Sequence, residues 1–204
     1  VAVTGVQTCA LPIWVYSTKG HGGGAQASVN NFLEWFGDSK VVDESGNPLV
    51  VYHGGPMEIS GGVFKPGYVG GIFFTSNKRL ANIHKNRFDG GVQSVYLNIS
   101  NPYEVDYKGT DITVNNAEES IHEAQAKGHD GVIIRNFIDM PENKLDVAKR
   151  FGVAHKYKGD IYIVFSPNQI KSATNNNGQF DASNPDIRYS AHESKTEPLT
   201  KQQV

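Results

Sequence analysis

Cysteine, long apolar runs and a surplus of one charge are all nearly missing from this sequence. Cys9 is the single cysteine among 204 residues, which excludes a disulfide framework and a thiolate metal site. No stretch approaches the roughly 18 consecutive apolar residues that a membrane helix needs. Lys and Arg number 19 against 21 Asp and Glu, so no electrostatic attraction to nucleic acid or to an anionic membrane is indicated. Histidines also lack the spacing of a metal site, and we expect no metal.

Four segments are predicted from local composition. Residues 1–13 (VAVTGVQTCALPI) resemble a translated sequencing-adapter oligonucleotide, so we expect them to be an artefact and the native N-terminus to be missing. Residues 14–30 contain the Gly-rich run KGHGGGA and are predicted to be a linker. Residues 31–190 form the predicted domain, and 191–204 are a charged tail expected to be disordered. Because the native N-terminus is expected to be missing, the sequence gives no signal from which to predict localisation.

Short strands alternate with short helices along the domain, which indicates an α+β fold. Apolar alternation or short apolar runs predict strands at 40–43, 48–52, 72–75, 92–99, 131–135 and 160–165. Helical spacing, capping residues and Gly stops predict helices at 29–36, 77–86, 116–127 and 141–151. The first two strands are joined by a turn and are predicted to form a β-hairpin.

Four motifs resemble one family in order along the chain. They are FLEWFGDSKVVDESGNPLVVYHGG at 32–55, GIFFT at 71–75, VYLNISNP at 95–102, and YIVFSPNQIKSA at 162–173 with its continuation to residue 188. Together they resemble the ADP-ribosyltransferase domain of phage and mobile-element polyvalent proteins. The first two also resemble the diphtheria-toxin and poly-ADP-ribose-polymerase branch. The resemblance implies split antiparallel β-sheets with short peripheral helices, and NAD⁺ in the cleft between the sheets.

The resemblance also implies a function: an NAD⁺-dependent mono-ADP-ribosyltransferase, which is a glycosyltransferase acting as a toxin-like effector. Its substrates would be NAD⁺ and a macromolecular acceptor, which we expect to be a host protein rather than nucleic acid. No metal and no membrane contact are expected. The domain is expected to act as a monomer, in the host cytoplasm after delivery.

Site residues are carried over from the matching motifs. His53 would bind ribose hydroxyls, Phe73 would stack on nicotinamide in place of the family's usual tyrosine, and Gln169 is predicted to lie in the cleft. Neighbouring positions are expected to contact the dinucleotide: Gly54, Gly55, Phe74, Thr75 and Ser76. The remaining histidines are predicted to be surface or helix-packing residues: His84, His122, His129, His155 and His192.

One position departs from the resemblance. Ile161 falls where poly-ADP-ribose polymerases carry a glutamate, and Asp160 beside it should point to the opposite face of the strand. A catalytically degenerate NAD⁺-binding module is therefore one alternative. A toxin-type ribonuclease is the other, with His155, Lys156 and Lys158 as its acid, base and phosphate-binding groups.

Overall fold

The computed structural model describes residues 22–55, 62–87, 90–108, 114–139, 149–152 and 154–188. The α-helices in this part of the chain are α1 (Gly22–Phe36), α2 (Lys78–Arg87) and α3 (Val114–Ala126). The strands are β1 (Val51–Gly55), β2 (Ile72–Thr75), β3 (Gly91–Leu97), β4 (Pro102–Asp106), β5 (Gly131–Ile138), β6 (Lys158–Val164) and β7 (Ile170–Ser172). Two 3₁₀ turns, Ala154–Tyr157 and Pro167–Gln169, precede β6 and β7.

The strands form a seven-stranded sheet in the order β4-β5-β6-β2-β1-β3-β7. The centre of this sheet is weakly joined, because a single pair of facing residues, Tyr52 and Thr75, links β1 to β2. By contrast, five facing pairs join β1 to β3, and four join β2 to β6. The sheet is therefore split into two halves between β1 and β2, as expected for the α+β fold. It is mixed rather than purely antiparallel, since β4 runs parallel to β5.

The two faces of the sheet carry separate apolar clusters. Strand β6 shows this by alternation: Tyr162 and Val164 belong to one cluster, and Ile163 belongs to the other, beneath α3. A third, aromatic cluster joins α1 and β3 to the C-terminal segment through Phe32 and Phe180, whose ring centroids are 5.1 Å apart. No helix in the described ranges combines the length and apolarity needed to cross a membrane.

The predicted hairpin is reduced in the structure to an isolated bridge between Val42 and Pro48. Pro48 has no N–H to donate, so a regular ladder cannot continue through it. The strand that follows, β1, instead pairs with β2 and β3.

Helix α1 begins at Gly22, seven residues before its predicted start, so the second half of the predicted linker is helical. Helix growth is cooperative. Once Phe32 and Phe36 are anchored in the core, the preceding Ala-Gln-Ala stretch at 25–27 extends the helix at little cost. Strand β4 was not predicted, because only two of its residues are apolar enough to signal a strand.

Several predictions fall outside the described residues. They are the adapter-derived segment, the first part of the linker, most of the helix predicted at 141–151, and the C-terminal tail.

Candidate active site at the split of the sheet

His53 lies on β1 at the split of the sheet. Its Nδ1 is 2.7 Å from the carbonyl oxygen of Phe73 on β2. A carbonyl only accepts, so Nδ1 carries the proton and Nε2 of the neutral ring is an acceptor. The ring is also held by Phe64 and Phe74, at centroid distances of 5.0 and 5.6 Å. A side chain therefore bridges the two half-sheets where the backbone ladder is almost absent.

Burial lowers the pKa of His53 below its ordinary value of 6.5. The hydrogen bond to the Phe73 carbonyl raises the pKa, and the nearby charge of His84 lowers it further. Desolvation dominates because an imidazolium loses more solvation free energy on burial than a neutral imidazole. His53 is therefore neutral at neutral pH and available as a hydrogen-bond acceptor.

The two glycines after His53 meet different neighbours. A Cβ at Gly54 would lie 1.7 Å from the carbonyl oxygen of Ala81, so only glycine lets α2 pack this closely on β1. A Cβ at Gly55 would lie 2.6 Å from Nε2 of His53. The His53 ring therefore packs directly against residue 55, where a side chain would displace it.

A cavity of about 370 Å³ opens beside His53, within the size range of small-molecule sites. Its polar or amphipathic walls come from Tyr52, His53, Tyr68, Thr75, His84 and Asp139. Its apolar walls include Val69, Phe73, Leu80, Ala117, Ile134, Phe137 and Ile161. Tyr68 stands at the mouth and is 88% exposed. The cavity thus combines aromatic and apolar surface for a ring with a few polar groups to orient it.

The residues predicted on and after β2 separate into two groups. Phe73 is half-buried and lines the cavity, so part of its ring is available for stacking. Phe74 and Thr75 also reach the cavity wall, but both are buried, and the Thr75 hydroxyl accepts a hydrogen bond from the Asn77 amide. Ser76 is not part of the wall, and its hydroxyl accepts from the Asp160 amide.

Gln169 was predicted to be a cleft residue, and the structure corrects this. Its Oε1 accepts from the amides of Phe165 and Ser166, and its Nε2 donates to the carbonyls of Asn98 and Asp130. Both ends of the amide are therefore used by the backbone, in a capping box at the 3₁₀ turn before β7. Gln169 does not line the cavity. It ties three loops together instead.

Ile161 does lie on the cavity wall, opposite Thr75 in the β6–β2 register. Its side chain has no polar atom, so this position presents hydrocarbon where the resemblance places a glutamate. The carboxylate of Asp160 is used elsewhere: Arg135 Nη1 donates to it at 3.0 Å and the Asn136 amide at 2.9 Å. Asp160 does not contribute to the cavity wall.

The structure adds two groups that the sequence reading did not select. His84 Nε2 and Asp139 Oδ2 are 2.7 Å apart, and both residues line the cavity. The position of His84 could have been predicted from its helical spacing. It lies three residues after Ala81 and four after Leu80, so it shares their inward face of α2. Asp139 carried no such signal, since it follows β5 as an isolated carboxylate. Among the described residues, no three or more His, Cys, Asp or Glu side chains come together in a group able to hold a metal.

No curated protein and no solved structure gave a significant match to this chain. A family model described as the ADP-ribosyltransferase in polyvalent proteins matches residues 43–180, which is more than half of the chain. That range contains His53, both half-sheets and every residue of the cavity wall. The chain therefore belongs to the family of ADP-ribosyltransferases found in polyvalent proteins.

Proposed function

We propose that this protein is an NAD⁺-dependent mono-ADP-ribosyltransferase that modifies a macromolecular acceptor, a host protein, as part of a phage or mobile-element polyvalent protein. The observation that carries the proposal is the neutral His53 at the split of the sheet. Its Nδ1 is held by the Phe73 carbonyl, which leaves Nε2 as an acceptor, and the residue lines a cavity with aromatic walls. The host cytoplasm is the proposed compartment, because the acceptor and NAD⁺ are both available there.

The reaction breaks the bond between nicotinamide and the ribose carbon C1′, through an oxocarbenium-like transition state. Phe73 and Tyr68 line the cavity and supply aromatic rings for the leaving nicotinamide to stack on, and His53 Nε2 accepts from a ribose hydroxyl. These contacts fix the ribose relative to the leaving ring. Orientation of this kind accounts for a large part of many rate enhancements.

Ile161 favours single transfer over polymer synthesis. Extending a polymer requires a polar group that holds and activates a ribose hydroxyl of the growing chain. Ile161 offers neither a hydrogen bond nor a charge at that wall. The same hydrocarbon wall is the observation that favours the second candidate function, a degenerate NAD⁺-binding module. A ribonuclease is disfavoured, because Lys156 and Lys158 do not line the cavity.

The test is nicotinamide release from NAD⁺ by the 204-residue chain, with ADP-ribose transfer to lysate proteins followed by mass spectrometry. His53→Ala is expected to abolish release. His122→Ala is the matched control, because His122 lies on α3 with a 70% exposed side chain and outside the cavity. Circular dichroism of both variants establishes that they are folded.

Three outcomes separate the candidates. Release that depends on His53, together with labelled protein, supports the transferase. Saturable NAD⁺ binding without release supports the degenerate module. Release that persists in folded His53→Ala would remove His53 from the reaction and contradict the proposed site.

A further inference from the structure

His84 and Asp139 form a histidine–carboxylate pair in the wall of the cavity. His84 Nε2 donates to Asp139 Oδ2 at 2.7 Å, which leaves Nδ1 of the neutral ring as an acceptor. In the described part of the chain, Nδ1 has no hydrogen-bond partner. A carboxylate on one ring nitrogen and a free second nitrogen is the arrangement by which proteins orient a histidine as a proton acceptor.

Folding alone gives little reason for this pair. The side chains are 41% and 31% exposed, and ion pairs of such exposure contribute little to stability. The pair nevertheless joins two separate elements, since His84 is on α2 and Asp139 follows the end of β5. Both side chains face the cavity that His53 also lines.

His84 is close to the histidine that would hold the ribose. Both residues line the same cavity, and α2, which carries His84, packs on β1, which carries His53, where the Ala81 carbonyl meets Gly54. A nucleophile that approaches a ribose held by His53 would therefore pass near His84. In the described part of the wall, Asp139 is the one carboxylate, because Asp160 is turned away and position 161 is isoleucine.

From this arrangement, and resting on the proposed function, we infer that His84, oriented by Asp139, is the general base of the transfer and that the acceptor nucleophile is a hydroxyl group. The C1′–nitrogen bond breaks, and its electron pair neutralises the nicotinamide ring. The hydroxyl oxygen forms the new bond to C1′. The proton of that hydroxyl moves to Nδ1 of His84 and then to solvent.

The chemistry of the acceptor follows from the presence of a base. A carboxylate acceptor is already ionised at neutral pH, since Asp and Glu have pKa values of about 4, and it needs no proton acceptor. An alcohol keeps its proton until the new bond forms, so it gains most from a base at that moment. A Ser or Thr hydroxyl on the acceptor protein fits this requirement, and water would give hydrolysis by the same route.

The experiment compares the full chain with His84→Ala and Asp139→Asn, and uses His122→Ala as the matched histidine control. Removal of the base is expected to lower kcat roughly 100-fold while the Kd for NAD⁺, measured by calorimetry, is unchanged. Added imidazole is expected to restore part of the activity of His84→Ala, because it replaces the missing ring. The ADP-ribose linkage made by the wild type is expected to survive neutral hydroxylamine, which cleaves esters of Asp and Glu.

The contrary results are distinct. If folded His84→Ala keeps the wild-type kcat, or if hydroxylamine releases the ADP-ribose, the inference is wrong while the transferase proposal stands. If His84→Ala loses NAD⁺ binding in proportion to activity and imidazole restores nothing, the pair binds the dinucleotide rather than accepting a proton. If the wild type releases no nicotinamide, the proposed function fails and the inference fails with it.

Discussion

His53 has a role in folding as well as a position in the candidate site. Its Nδ1 closes the split of the sheet through the Phe73 carbonyl, and its ring packs against Phe64 and Phe74. The hydrogen bond fixes the tautomer, and the tautomer determines which nitrogen faces a ligand. A residue of this kind responds to pH through the stability of the fold as well as through the chemistry.

The pH dependence of stability can be worked out from the direction of the His53 shift. The folded pKa lies below 6.5, so between the two values the unfolded chain binds a proton that the folded chain does not. The free energy of unfolding should therefore fall as pH drops through about 6.5, by up to about 1.4 kcal/mol per pH unit. Urea unfolding between about pH 5 and pH 7 measures this slope.

Two variants isolate the contribution of His53. His53→Gln removes the titrating group and should flatten the slope, whereas His122→Gln should leave it as in the wild type. An unchanged slope in His53→Gln would show that another group causes it.

At the scale of secondary-structure elements, the segment from β6 to β7 depends on Gln169. One side chain satisfies two amides of the turn before β7 and two carbonyls from neighbouring loops. The sequence motif SPNQIKSA is specific for the family resemblance, yet its Gln169 stabilises a turn and does not line the cavity.

Gln169→Ala should therefore destabilise the protein and leave its chemistry alone. We expect the free energy of unfolding to fall by about 2 kcal/mol, because four partly buried backbone groups lose their partners. The kcat for nicotinamide release, measured on folded protein, should match the wild type. Gln179→Ala, at an exposed position, is the control for stability. A large loss of kcat in a folded Gln169→Ala variant would restore Gln169 to the site.

Local sequence patterns predicted the helices and strands better than they predicted which strands pair with each other. The predictions of the IFFT strand, of the helix that follows it and of a helix end before Gly128 were all correct. The spacing of apolar residues and the presence of a glycine are signals that depend only on neighbouring residues. The predicted hairpin forms only as the Val42–Pro48 bridge, and the pairing of β1 with β2 and β3 was missed because it depends on contacts far apart in the chain. Strand β4 is mostly polar and half-exposed, so its sequence carries little apolar signal.

The residues of the candidate site also divide into those that local motifs identify and those that only the folded chain brings together. The motifs selected His53, Phe73 and Ile161, and all three line the cavity, while their roles stay predictions. The His84–Asp139 pair spans 55 residues, and only the folded chain brings its members together. Gln169 misled because an amide in a family motif has no feature that separates capping from ligand binding.

At the scale of the whole molecule, an aromatic cluster outside the cavity wall holds α1, β3 and the C-terminal segment together. Its buried members are Phe32, Trp35, Phe36, Tyr96 and Phe180, and none of them lines the cavity. Asn31 adds a hydrogen bond to the Gly178 carbonyl, and Trp35 adds one to the Asn168 carbonyl. The last described residues are therefore part of the core.

Phe180→Ala should loosen this assembly without changing the site. Phe180 is 3% exposed, so loss of its ring should lower the free energy of unfolding by about 3 kcal/mol. Phe151→Ala, at a residue that is 72% exposed, should have almost no effect. Chemical denaturation gives both values. Equal stabilities would show that the C-terminal segment is not anchored through this ring.

The bridge made by His53 across the split sheet also affects how relatives of this protein should be compared. A copy that lost catalysis would still be selected to keep this histidine, because its two half-sheets would need it. His84 and Asp139 are under no such constraint, since their exposed pair adds about 1 kcal/mol or less to stability. Once chemistry is lost, these two positions are free to drift. Among family sequences, joint retention of the pair is therefore the better marker of an active copy.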